Sequence, residues 1–172
     1  MTFNRCRALA LVGGMFLSIG STSAFAADAT INVSLWDRGP DSAMMDEMHP
    51  KGMGKGMMGG KMVMPMDMMG IEVDKAEVPT GKVTFNVVNA SKDIIHEMVI
   101  SPIASVDASL PYIVDENKVD EDAAGHLGEV AELDPGASGT LAIDLKPGIY
   151  VLYCNIPAHY NSGMWTLLTV TE

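Results

Sequence analysis

Apolar and polar residues alternate through residues 30–36 (TINVSLW), with Ile31, Val33 and Leu35 sharing one side. That two-residue period belongs to a half-buried strand. The same rhythm returns after residue 71. IEVDKAEVPTGKVTFNVVNAS predicts a short strand, a Pro-Thr-Gly turn and a strand over 82–89. IIHEMVI predicts a strand over 94–100. LGEVAEL and TLAIDL, separated by Asp-Pro-Gly-Ala-Ser-Gly, read as two strands around a turn. IYVLYC follows the turn at KPG, and MWTLLTVTE closes the chain. Residues 101–127 carry two prolines and a run of acids, and read as a long loop with a helical turn. About seven or eight short strands and no long amphipathic helix predict an all-β fold, a β-sandwich.

The pattern breaks between Met44 and Met69, where 11 of 26 residues are methionine and five glycines are interspersed. Neither period survives so much glycine, so the stretch reads as a flexible low-complexity insertion at about 40–69. It holds Met44, Met45, Met48, Met53, Met57, Met58, Met62, Met64, Met66, Met68 and Met69, together with His49. A loop gains nothing structural from methionine over serine, and methionine is easily oxidised. Thioethers do bind soft cations such as Cu(I) at any pH, so these twelve residues are the candidate Cu(I) ligands.

The first 26 residues read as a cleavable signal peptide: Arg5 and Arg7, an apolar run over 8–19, and Ala24-Phe25-Ala26 as the cleavage site. The expectation is an exported, periplasmic protein, a single domain over 27–172 and no membrane insertion after cleavage. The net charge is −11, and losing Arg5 and Arg7 makes it more negative still. Such a surface argues against nucleic acid or anionic lipid as partners. Cleavage also removes Cys6, leaving Cys154 alone in an oxidising compartment. A lone cysteine is a buried inert residue, an intermolecular bridge, a reactive thiol or a metal ligand.

Its neighbours favour the last. YCNIPAHYNSGMW places Cys154, His159 and Met164 at five-residue spacing, and Pro157 forbids a helix there. One loop between two strands would carry all three. His96, in the strand IIHEMVI, can supply a fourth ligand from across the sandwich. Two imidazoles, one thiolate and a weak thioether are the donors of a type 1 copper site. Structural zinc sites favour several cysteines and do not use methionine. Met98 lies two residues from His96 and is read as packing near the site. His126, in AAGHLGEV, matches no ligand position and is read as exposed.

Cys-x4-His-x4-Met between the last two strands, with a lone upstream histidine, resembles the cupredoxins. The resemblance covers about residues 71–172 and includes the strand at 31–36. It implies a Greek-key β-sandwich holding one copper ion on His96, Cys154, His159 and Met164. The methionine-rich segment is similar to that of periplasmic cupredoxins associated with copper tolerance. Ile95 and Glu97 flank the upstream histidine and Asn155 follows the cysteine, which departs from several cupredoxins. Neighbouring hydrogen bonds tune a metal, so colour and potential are not carried over.

Two functions share this site. One is copper handling, with the methionines capturing Cu(I) and the partners being copper ions and a copper-transport or redox protein. The other is a soluble electron carrier between redox enzymes. An enzyme is disfavoured. Oxidases with further copper centres need additional histidine clusters, and no His-x-His pair occurs. A binuclear electron-entry site would need a second cysteine in the loop, and CNIPAH has none.

Overall fold

The computed structural model describes residues 28–39 and 68–172. The expected signal peptide lies outside them, as do Met44, Met45, Met48, His49, Met53, Met57, Met58, Met62, Met64 and Met66. Two sheets face each other. The first, in the order β2-β1-β4-β9, comprises β2 (Met69–Val73), β1 (Ala29–Asp37), β4 (Gly81–Asn89) and β9 (Ser138–Leu145). The second runs β3-β11-β10-β5-β8, from β3 (Glu77–Pro79) through β11 (Trp165–Thr171), β10 (Gly148–Tyr153) and β5 (His96–Ile103) to β8 (Gly128–Leu133). β1 pairs parallel with β4, and β3 pairs parallel with β11. The other ladders are antiparallel.

The alternation in the sequence is what buries the core. Ile31, Val33 and Leu35 of β1 and Val83, Phe85 and Val87 of β4 point inward from the first sheet. They meet Met98, Ile100, Tyr150, Leu152, Leu168 and Val170 of the second. Each such aliphatic side chain, fully buried, contributes roughly 1.5–3 kcal/mol of transfer free energy. β5 departs from alternation, and residues 96–101 are buried on both faces. The reason is the excursion between β5 and β8. It covers the outer face of the sheet with a second apolar cluster of Val99, Leu110, Val119, Ala124, Val151 and Tyr153.

The expected long loop over 101–127 therefore has internal order. It contains a hairpin of two-residue strands, β6 (Tyr112–Ile113) and β7 (Lys118–Val119), and one helical turn, α1 (Glu121–Ala124). Asp120 caps α1 by accepting from the Ala123 N–H, and Gly125 ends it at φ 63°. The strand expected at 94–100 begins at His96 and continues to Ile103. With β3 counted, the two sheets hold nine strands among the described residues, slightly more than the seven or eight expected.

β1 and β2 frame the methionine-rich segment. Asp37 pairs with Met69, and the Arg38 N–H donates to the Met68 carbonyl at 2.9 Å. Met69 thus opens a strand rather than closing a loop. Gly70 lies under the Trp36 ring, where a Cβ would sit 2.8 Å from Cζ2, so a larger residue there would have to push the ring aside.

Candidate metal centre

The site stands where β5, β10 and β11 end together. β10 carries the chain to Tyr153, and Cys154 is the next residue. Pro157 stops the extension, and Ala158 turns the chain at φ 70°. That is an uncommon conformation for a residue with a Cβ, held here by Ala158 N–H donating to the Asn117 carbonyl. The loop closes on itself. The His159 N–H donates to Ile156, Met164 N–H to His159, and Cys154 N–H to Met164, at 3.0, 3.1 and 3.1 Å. Asn155, 2 % exposed, ties this loop to the excursion: its Oδ1 accepts from Val119 N–H at 2.7 Å, and its Nδ2 donates to Glu121 Oε1 at 2.6 Å and to the Val119 carbonyl at 3.1 Å.

His96 enters from the first residue of β5, fully buried. Its Nδ1 lies 3.3 Å from His159 Nδ1 and 4.0 Å from Cys154 Sγ, and Sγ lies 3.3 Å from His159 Nδ1. Three donor atoms at these separations have a common centre about 2.1 Å from each, close to metal–imidazole bonds of about 2.0–2.1 Å and metal–thiolate bonds of about 2.3 Å. Among the described residues this is the one group of three or more His, Cys, Asp and Glu side chains that can hold a metal ion. The Cys154 sulfur also accepts the Glu97 N–H at 3.5 Å, which holds it in place from behind.

Burial dominates the electrostatics. It pushes the Cys154 thiol up to about 11, against the lowering effect of the Glu97 and Ile156 N–H groups. It pulls His159 down to about 4, helped by neighbouring His96 and opposed by Asp37. Burial also lowers His96, opposed by its hydrogen bond to Asp37. Without a cation the three donors are therefore neutral at neutral pH. A soft cation that displaces the thiol proton turns this neutral cluster into a charged ligand set.

The sequence-predicted residues divide plainly. His96, Cys154 and His159 converge. Met164 is fully buried in the same apolar cluster as Cys154, and it precedes β11 rather than beginning it. Met98 also joins that cluster, as packing. His126 is exposed, as expected. Met68 is 36 % exposed at the edge of the sandwich and Met69 is partly buried against the core. Two residues that shape the site were not foreseen. Asp37, whose side chain is 3 % exposed, places Oδ2 3.2 Å from His96 Nε2. Asn155 was noticed only as the neighbour of Cys154. For Asp37 the one available signal was an acid closing an otherwise apolar-alternating strand.

No protein-family model and no curated protein matches the chain. Solved structures do. Rusticyanin from Thiobacillus ferrooxidans aligns over 85 % of this chain and 79 % of its own, at 16 % identity and a TM-score of 0.51. A reduced rusticyanin aligns over 85 % and 81 %, at 16 % identity and 0.52. A dithionite-reduced auracyanin from Roseiflexus castenholzii is 29 % identical over 58 % of this chain and 87 % of its own, at 0.42. The donor set fits one type 1 copper ion, and the fold that carries it is the cupredoxin fold.

Proposed function

We propose that this chain is an exported type 1 copper protein of the periplasm that acts in copper handling and tolerance. The observation that carries the reading is the triangle of 3.3, 3.3 and 4.0 Å among His96 Nδ1, His159 Nδ1 and Cys154 Sγ. Copper, when bound, supplies a one-electron Cu(II)/Cu(I) couple. The chain supplies the rest. Cys154 would offer the soft, strong donor, the two imidazoles borderline donors, and Met164, buried in the same cluster, a weak thioether. The strands and the closing loop hold these donors together, so little rearrangement would accompany a change of charge. Burial excludes water from Cys154 and Met164, both 0 % exposed.

The methionine-rich segment is the reason for preferring copper handling to simple electron carriage. Its thioethers suit Cu(I). Its two ends, Gly39 and Met68, leave and rejoin the sandwich beside Asp37, which touches His96. The competing reading, a soluble carrier docking through its acidic surface, uses the same centre and none of the segment's methionines. No helix among the described residues is long and apolar enough to cross a membrane.

The test is a visible and EPR titration of the exported protein with Cu(II), repeated on Cys154→Ala. An intense thiolate-to-copper band at one equivalent, absent from the variant, is expected. A band that survives Cys154→Ala would remove the site. A chain in which a two-residue turn replaces residues 40–67 separates the two functions, because Arg38 and Met68 are already hydrogen-bonded. It keeps the band and loses Cu(I) equivalents if the segment is a Cu(I) site. It keeps both if the protein is a carrier.

A further inference from the structure

Asp37 is the last residue of β1, and its carboxylate faces two ways. Oδ1 accepts the Gly39 N–H at 2.5 Å, where the chain leaves the sandwich. Oδ2 lies 3.2 Å from His96 Nε2. The carboxylate is 3 % exposed and the imidazole 0 %. An ionised carboxylate only accepts hydrogen bonds, so Nε2 must carry the proton and Nδ1 must be the bare nitrogen. Nδ1 is the atom that faces Cys154 and His159. His159 has no equivalent. Its Nδ1 points into the cluster, and among the described residues no side chain fixes its other nitrogen.

We propose that Asp37 is a positioning residue for the metal centre: it sets the tautomer and ring orientation of His96 and, through its buried charge, favours the oxidised metal. The second half rests on the type 1 copper reading above. The first half holds for the metal-free chain. A carboxylate behind a ligating imidazole raises the basicity of that ligand, and removing such a partner typically costs about 10–100-fold in metal affinity. Negative charge stabilises Cu(II) more than Cu(I), so the cost falls mainly on Cu(II).

Two variants separate geometry from charge. Asp37→Asn keeps the shape and one acceptor oxygen but removes the charge. Asp37→Ala removes both. In the metal-free protein, long-range 1H–15N spectra should show His96 as the single Nε2–H tautomer in the native chain and in Asp37→Asn, and as a mixture in Asp37→Ala. In the copper-loaded protein, Asp37→Asn should lower the ratio of Cu(II) to Cu(I) affinity about ten-fold, a rise in midpoint potential of about 59 mV for one electron. A pure Nε2–H tautomer in Asp37→Ala would overturn the positioning role. A ratio within two-fold of native in Asp37→Asn would overturn the electrostatic one. Should Asp37→Ala not fold, loss of the Nε2–H tautomer or an unchanged affinity ratio in Asp37→Asn decides instead. A native protein with no thiolate band would sink the copper reading and leave the tautomer result standing.

Discussion

The centre is assembled from two regions that hold identical chemistry in different ways. The strand-borne half is His96 at the start of β5 with Asp37 at the end of β1, joined across the sandwich and withdrawn from solvent. The loop-borne half is Cys154, His159 and Met164, held by backbone hydrogen bonds within residues 154–164 and by Asn155. One imidazole is fixed by a side-chain partner and full burial. The other is fixed by its turn and is only partly buried. Order at a ligand can thus come from the environment of the side chain or from the conformation of the backbone. The two routes leave different access to solvent.

The sharpest break of this comparison is to remove each imidazole in turn. In His159→Gly the gap opens toward solvent, and free imidazole added with Cu(II) should restore the thiolate-to-copper band. In His96→Gly the gap is enclosed and Asp37 loses its partner. Imidazole should not restore the band, and stability should fall by about 3 kcal/mol, the order expected when one oxygen of a buried carboxylate loses its hydrogen bond. Equal rescue of both variants, read by visible titration, would show that the two halves are equally accessible.

Next comes the anchor of the loop half. Asn155→Ala strips partners from the buried N–H and C=O of Val119 and from Glu121. Two orphaned backbone groups cost about 3 kcal/mol together, at roughly 1–3 kcal/mol each. Urea unfolding of the metal-free protein should report that loss. A loss under 1 kcal/mol would mean that Ala158 and the loop's own hydrogen bonds suffice.

How much of this was legible beforehand follows from the same division. The alternation in 30–36, the apolar strands after residue 71 and the spacing of Cys154, His159 and Met164 are local patterns, and each maps onto strands of the two sheets or onto the closing loop. His96 was legible because it is a lone histidine in an apolar strand. Asp37 was not, since its role depends on β1 ending opposite β5, 59 residues away in sequence. Asn155 was missed for a related reason: a polar side chain buried by a distant excursion looks, in sequence, like any loop asparagine. The order within 101–127 was hidden because its strands are two residues long and its apolar residues, Leu110, Val119 and Ala124, are too sparse to form a period.

The smallest effect concerns Glu97, which stands on the outer side of the sheet behind His96 and is 7 % exposed. Burial raises its carboxyl to about 7, reinforced by Glu121, Glu129 and Glu132 and opposed by Lys118. Between pH 4.5 and 7 the folded protein keeps a proton on Glu97 that the unfolded chain has lost, so this group makes stability fall as pH rises. His159, pulled from 6.5 to about 4, does the reverse. Between pH 4 and 6.5 the unfolded chain binds the proton and the folded one does not, so stability rises with pH, and His96 is shifted in the same direction. In the metal-free native protein Glu97 and the two imidazoles therefore oppose each other between pH 4.5 and 6.5. Glu97→Gln leaves the Glu97 N–H to Cys154 in place and removes the falling contribution. Its denaturation free energy should climb more steeply over that window, by roughly 1–2 kcal/mol in all, the Glu97 contribution that the substitution removes. Parallel pH profiles for the two proteins would mean that Glu97 is charged in the fold, with the acidic residues around it screened by solvent.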